Sequence, residues 1–225
     1  MSKRFYAAFV PLLAVVAFAA MPATSQAAES HWYTCKHEAT ATHKFSDSEC
    51  QKEVANTGSW EWKRLPFTSA KTQVITFGKL TLTWSNGIVL TCKVIEAGNI
   101  WNGTEATAGQ DNIEAFVFYE CKSEQCATVS FTSKNLPWST ELAAGPVDKI
   151  KGIELTINCA GTELTLKGEL SPKVVNSTET EPTFEEFTAA TGELEEPVEK
   201  LKLKVEGRDR MLGFEHGEDI RVKNP

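Results

Sequence analysis

His31, Cys35, His37, His43 and Cys50 fall within one short stretch, HWYTCKHEATATHKFSDSEC, at 31–50. Imidazole and thiolate are the side chains that bind zinc, so a metal centre is the first chemistry to weigh. A zinc-protease motif sets two histidines four residues apart on one helix face, with a glutamate beside the first. Here His37 and His43 are six apart, and the threonines and alanines between them favour extended chain or loop. The spacing of Cys35, His37, His43 and Cys50 matches no standard zinc module. The stretch reads as a disulfide loop carrying solvent-facing histidines, and neither a metal nor another cofactor is expected.

What precedes the stretch supports that chemistry. Lys3 and Arg4 lead an apolar run, YAAFVPLLAVVAFAAMPA, followed by small and polar residues around Ser25 and Ala27. This is the pattern of a secretory signal peptide over 1–27. No cysteine stands at the expected cleavage point, which argues against a lipoprotein. LPWST at 136–140 lacks the apolar, basic tail of a wall-sorting signal. Cleavage would leave 28–225 as a single exported domain with no membrane span, its formal charge moving from −7 to −9. That acidic balance argues against nucleic acid as a partner. Six cysteines in an exported chain point to three disulfides. Cys35 and Cys50 pair as the two N-terminal cysteines. Cys121 and Cys126 can close a tight loop, leaving Cys92 with Cys159. The competing scheme is Cys92–Cys121 with Cys126–Cys159.

Other catalytic signals are thin. There is no G-x-S-x-G elbow and no phosphate-binding glycine loop. His216 in GFEHGED reads as a turn residue rather than a base. Glutamates are too abundant for any pair to single itself out. NGT at 102–104 and NST at 176–178 fit the glycosylation pattern. The six tryptophans are more informative, because exposed indoles grip sugar rings and other apolar faces. Trp101, in a turn-like GNIWNGT, and Trp138, after Pro137, are the candidate ligand-binding residues. Trp60 and Trp62 share one face.

The elements that must position these residues are strands. Ile153, Leu155, Ile157 and Cys159 alternate with polar residues, as do Leu164 and Leu166 and then Leu201, Leu203 and Val205. Ala160-Gly161 makes a tight hairpin turn. LTLTWSNGIVLTCKV predicts a hairpin with a three-residue loop, 85–87, pairing Trp84 with Ile88 and Leu82 with Leu90. Ile75 and Phe77 carry the opposite parity, which predicts a bulge near Gly78. IEAFVFYEC reads as a strand covered on both faces, and the segment after Cys126, to Phe131, as its return strand. Short strands are expected at Phe184–Phe187, within an exposed Glu-rich connection, and at 220–222. SDSE at 46–49 looks like a capping box and predicts one short N-terminal helix. The sum is a mainly β protein, a single antiparallel meander barrel, with a two-sheet β-sandwich as the alternative.

Cys92-Lys93-Val94, GQDNIEAFVFYEC at 109–121, Cys126 and LPWSTEL at 136–142 together resemble a group of uncharacterised secreted proteins of Gram-positive actinobacteria. The resemblance implies export, disulfides and β structure, and supplies no catalytic residue. Three functions follow as expectations. The first is an exported non-enzymatic barrel binding a small apolar or carbohydrate ligand or a cell-envelope component. The second is a structural or surface-interaction protein without a ligand, and the third a secreted hydrolase with an unrecognised carboxylate site. An enzyme is the less expected outcome.

Overall fold

A computed structural model describes residues 30–67, 70–104, 107–143, 146–178, 181–214 and 217–223. Segment 1–27, read from the sequence as a signal peptide, and His216 lie outside them. Two β assemblies share the chain, an eight-stave closed barrel and a small sheet across one of its ends.

The small sheet contains β1 (His31–His37), β2 (His43–Phe45), β3 (Glu53–Gly58) and β4 (Trp60–Arg64). In the barrel, β5 (Thr72–Trp84), β6 (Val89–Asn102) and β7 (Gly109–Lys122) form three continuous staves. The next stave is split into β8 (Val129–Lys134) and β9 (Trp138–Ala143), and both pieces pair with the long β10 (Val147–Cys159). β11 (Thr162–Leu170) and β12 (Lys173–Val175) share a stave, as do β13 (Phe184–Phe187) and β14 (Glu193–Glu195). β15 (Lys202–Gly213) pairs with both of these and with β5, closing the ring. β16 (Ile220–Lys223) then leaves the barrel to pair with β1. The barrel expectation stands, and the sandwich alternative falls because every stave has two neighbours.

Alternation dictates the interior. The β5–β6 hairpin has the expected register, Leu82 opposite Leu90, with Gly87 at φ 90° in its three-residue loop. From Leu80 to Trp84, and from Leu90 to Val94, every second residue joins one apolar core with Ile153, Leu155, Ile157, Leu166, Leu203 and Val205. A second apolar cluster sits under the small sheet, where Trp32, Leu65, Ile220 and Val222 pack on Val74, Ile100, Leu142, Val174 and Met211. The small sheet is therefore a lid. Asn102 fastens it: Oδ1 accepts from Trp32 N (2.9 Å), and Nδ2 donates to Trp32 O (3.0 Å) and Leu65 O (2.9 Å).

Several expectations are corrected. No helix forms at 46–50. Asp47, not Ser46, organises the segment: its carboxylate accepts from Glu49 N, Gln51 N and Lys52 N, and Cys50 at φ 49° turns the chain out of helical geometry. β5 has no bulge at Gly78, since its ladder to β6 runs unbroken from Thr72 opposite Ile100 to Thr83 opposite Val89. Gly78 is required for another reason: a Cβ there would lie 2.1 Å from Arg208 O and 2.6 Å from Asp209 Cβ on β15. β7 is not covered on both faces, because Val117 and Tyr119 are exposed on its outside. The disulfides are Cys35–Cys50, Cys92–Cys121 and Cys126–Cys159. Cys121 does not reach Cys126 because β7 kinks at Glu120 (φ 49°), where its register on β6 shifts and Cys121 comes beside Cys92.

Candidate functional site

The opening cluster disperses. His31, on β1 of the lid, is buried, with Nε2 3.3 Å from Thr104 O and its ring edge-on to Phe67. His37 is exposed against Trp60, and His43 Nδ1 lies 3.2 Å from Glu61. The Lys63 ammonium, hydrogen-bonded to Glu61, holds that carboxyl below its usual range. Cys35 and Cys50, joined by their disulfide, form a satellite core with Phe45 under Trp60 and Trp62. Among the described residues, no three His, Cys, Asp or Glu side chains are arranged to hold a metal ion.

The chemistry the sequence reading missed lies inside the barrel. Between the two apolar clusters, inward positions carry Thr76 on β5, Glu96 on β6, Asp111 on β7, Thr140 on β9, Asp148 on β10, Glu185 on β13 and Asp209 on β15. Three cross-strand pairs build this belt: Thr76 opposite Glu96, Asp111 opposite Thr140, and Glu185 opposite Asp209. Residues directly opposite on one face stand about 5 Å apart at Cβ, so like charges there repel. None of the five acids is more than 8% exposed. Burial accordingly pushes all five carboxyls upward: Asp148 to about 6, Asp209 to about 7, and Glu96, Asp111 and Glu185 well above their ordinary range. Repulsion from neighbouring acids adds to the effect at Glu96, Asp111, Glu185 and Asp209.

Asp148 is the easiest of them to ionise next to its neighbours, because Glu185, Thr140 and Asp111 hydrogen-bond to it and favour its charged form. Asp111 is held protonated partly by that contact. Among the described residues, no charged donor reaches Glu96 Oε2, Asp111 Oδ1, Asp148 Oδ1, Glu185 Oε2 or either Asp209 oxygen. Two carboxylates cannot satisfy each other, whereas a carboxyl and a carboxylate can by sharing a proton. Sharing protons is what would satisfy the belt's oxygens. Its sequence signal was an acid two residues before an apolar side chain, in D-N-I at 111–113, D-K-I at 148–150, E-E-F at 185–187 and D-R-M at 209–211.

The tryptophan candidates separate. Trp138 is 3% exposed; its indole donates to Lys134 O (2.8 Å) and its ring packs against Phe116. Trp101 stands half-buried on the outer wall, its Nε1 donating to Gln110 (3.1 Å) and Lys71 Nζ lying 4.7 Å from its ring centroid. Beside it, Gln110, Asn112, Ser139, Glu141 and Lys151 surround a surface depression of about 230 Å³ that Trp138 and Pro137 also line. Lys151 is ion-paired to Glu141. Inside, the apolar end retains a free volume of only about 20 Å³, room for a water-sized probe. Ligand pockets run to roughly 300 Å³ or more, so the apolar interior is filled by side chains.

No protein-family model matches the chain, and neither curated proteins nor solved structures give a match.

Proposed function

We propose that the chain works outside the cell as a disulfide-stapled barrel that binds a carbohydrate-like ligand on its outer wall and catalyses no reaction. One observation carries the ligand: Trp101 stands beside amide, carboxylate and ammonium groups (Gln110, Asn112, Glu141, Lys151) around an open depression. An indole face with flanking hydrogen-bonding groups suits a sugar, whose ring has apolar C–H faces and a rim of hydroxyls. Three disulfides are consistent with an oxidising compartment, and the signal-like 1–27 points the same way. The acids that do come together are sealed in the interior, which weighs against a hydrolase. Titration with a panel of purified envelope polysaccharides and their fragments tests the proposal. A saturable ligand whose affinity falls about tenfold in Trp101→Ala supports it. Binding untouched by that substitution, or none across the panel, rejects it.

A second reading, an interaction protein without a small ligand, rests on a different observation. Phe77, Ile95 and Val117 lie directly opposite one another on the outside of β5, β6 and β7, and all three are exposed. Apolar rows of this kind mark contact surfaces. Retention on envelope fractions that Ile95→Lys abolishes and Trp101→Ala leaves intact selects this reading over the first.

A further inference from the structure

We propose that the carboxyl belt is a proton-operated latch: with its protons shared the barrel is sealed under its lid, and loss of those protons draws water into the belt and releases the lid. The inference is independent of the outer-wall ligand.

Geometry makes the case. Seven of the eight staves contribute a polar belt side chain, so the layer spans the interior, with apolar side chains above and below. Thr76 and Thr140, 1% and 5% exposed, are two further polar groups aimed into the layer, towards Glu96 and Asp148. Among the described residues, no cation offsets the acids. The groups acting on the five carboxyls are one another, the two threonines and backbone amides. Arg210 and Arg208, which flank Asp209, reach outward to Glu49 and Glu186. On the lid, His31 turns to Thr104 and Phe67, Arg221 and Lys223 lie over Trp62 and Tyr33, and Asp219 accepts from Thr183 N. The opposite flank of the belt presents Ile113, Trp138, Ile150 and Phe187.

An uncompensated buried carboxylate must recover hydration or a proton. The proton is the one ligand that needs no added room. Once the second and third carboxyls ionise, water must enter. Through the apolar core it would displace a continuous packed cluster. At the other end it has to part the lid, which is tied down by its apolar underside, by Asn102, by the paired bonds of Asn176 with Val222, by Gly109 N donating to Ser30 O and by the Arg210–Glu49 ion pair. Raised carboxyl pKa values fix the direction. The folded chain holds more protons than the unfolded one between the ordinary carboxyl range and pH 7, so stability is complete in acid and is lost as pH rises through about 6 and then 7.

Thermal unfolding and hydrogen exchange, corrected for intrinsic rates, test this between pH 5 and 8 on the full chain in chelator-treated buffer. The expected result is a fall in Tm of about 10 °C, with segments 31–37 and 220–223 losing protection before β10 and β11. Asp148→Asn and Asp209→Asn, made separately so that one folded variant suffices, should each flatten the fall and keep the lid protected at pH 8. A Tm that is constant or rises over this range overturns the latch, as does a fall that both variants retain. Repeating the pH 8 scan with Ca²⁺ or Zn²⁺ added supplies the other arm. A rise in Tm that Asp148→Asn abolishes would make the belt a cation site and overturn the latch too.

Discussion

Asn102 shows how much one side chain can hold. Its amide donates twice and accepts once across the lid junction, fully buried, and its neighbours Trp32 and Leu65 have no water to turn to. Asn102→Ala strands those groups and should cost about 2–4 kcal/mol, read from the urea midpoint at pH 5. Asn102→Asp keeps the acceptor and loses both donations, so it should not rescue. The same burial means that the NGT pattern at 102–104 offers no acceptor amide while the lid is closed. Trp101, one residue earlier, faces the opposite way by strand alternation, and Trp101→Ala should change stability by less than about 1 kcal/mol while removing the indole from the depression. Neighbours in sequence thus serve the lid and the outer wall separately. The turn-like look of GNIWNGT pointed to Trp101, but nothing local distinguished a glycosylation motif from a lid fastener, because Asn102's partners lie at distant positions.

At the scale of a strand, β5 explains both what was legible and what was not. Leu80, Leu82 and Trp84 announced the inward parity, and the hairpin loop 85–87 followed from it. Continuing inward, the same parity reaches Gly78, Thr76 and Val74, while Ile75 and exposed Phe77 face out. Apolar pattern alone reads that switch as a bulge, since the rule assumes an apolar interior. A polar layer inside a core defeats the rule in every stave it crosses. The helix expected at 46–50 failed for a different cause. Ser46 and Glu49 have capping-box spacing, but Asp47 captures three backbone amides at once and folds the segment into a turn. Two substitutions separate polar layer from apolar core. Thr76→Val swaps a hydroxyl aimed towards Glu96 for a methyl, and should shift the urea midpoint by less than about 1 kcal/mol. Leu82→Ala, from the filled end of the same strand, should cost about 2–5 kcal/mol. Gly78→Ala adds a methyl against β15 backbone and should cost about 1–3 kcal/mol with no change in what lines the belt.

Across the whole molecule, the two ends of the barrel are secured by different means. β8 joins the β10 ladder but not that of β7, to which Ser133 Oγ donates a single hydrogen bond at Phe116 O. Cys92–Cys121 and Cys126–Cys159 flank that seam, tying β6 to β7 and the start of β8 to β10. The Cys126–Cys159 loop spans 33 residues, for which chain entropy predicts about 3–4 kcal/mol. The double replacement Cys126→Ser, Cys159→Ser should lower stability by that amount, with faster exchange confined first to β8, measured by urea unfolding and hydrogen exchange. The opposite end has no crosslink across the barrel, only the lid. That lid cannot be assembled early, because β1 needs β16, whose residues 220–223 come last among those described, and Trp32 opposite Val222 is the most distant pairing but one in the sheet. Contacts so far apart along the chain form late. The barrel can therefore close while its acid mouth is still wet, and the carboxyls take up their protons only when β16 docks on β1. Docking of the lid, rather than collapse, is then the event that dries the interior.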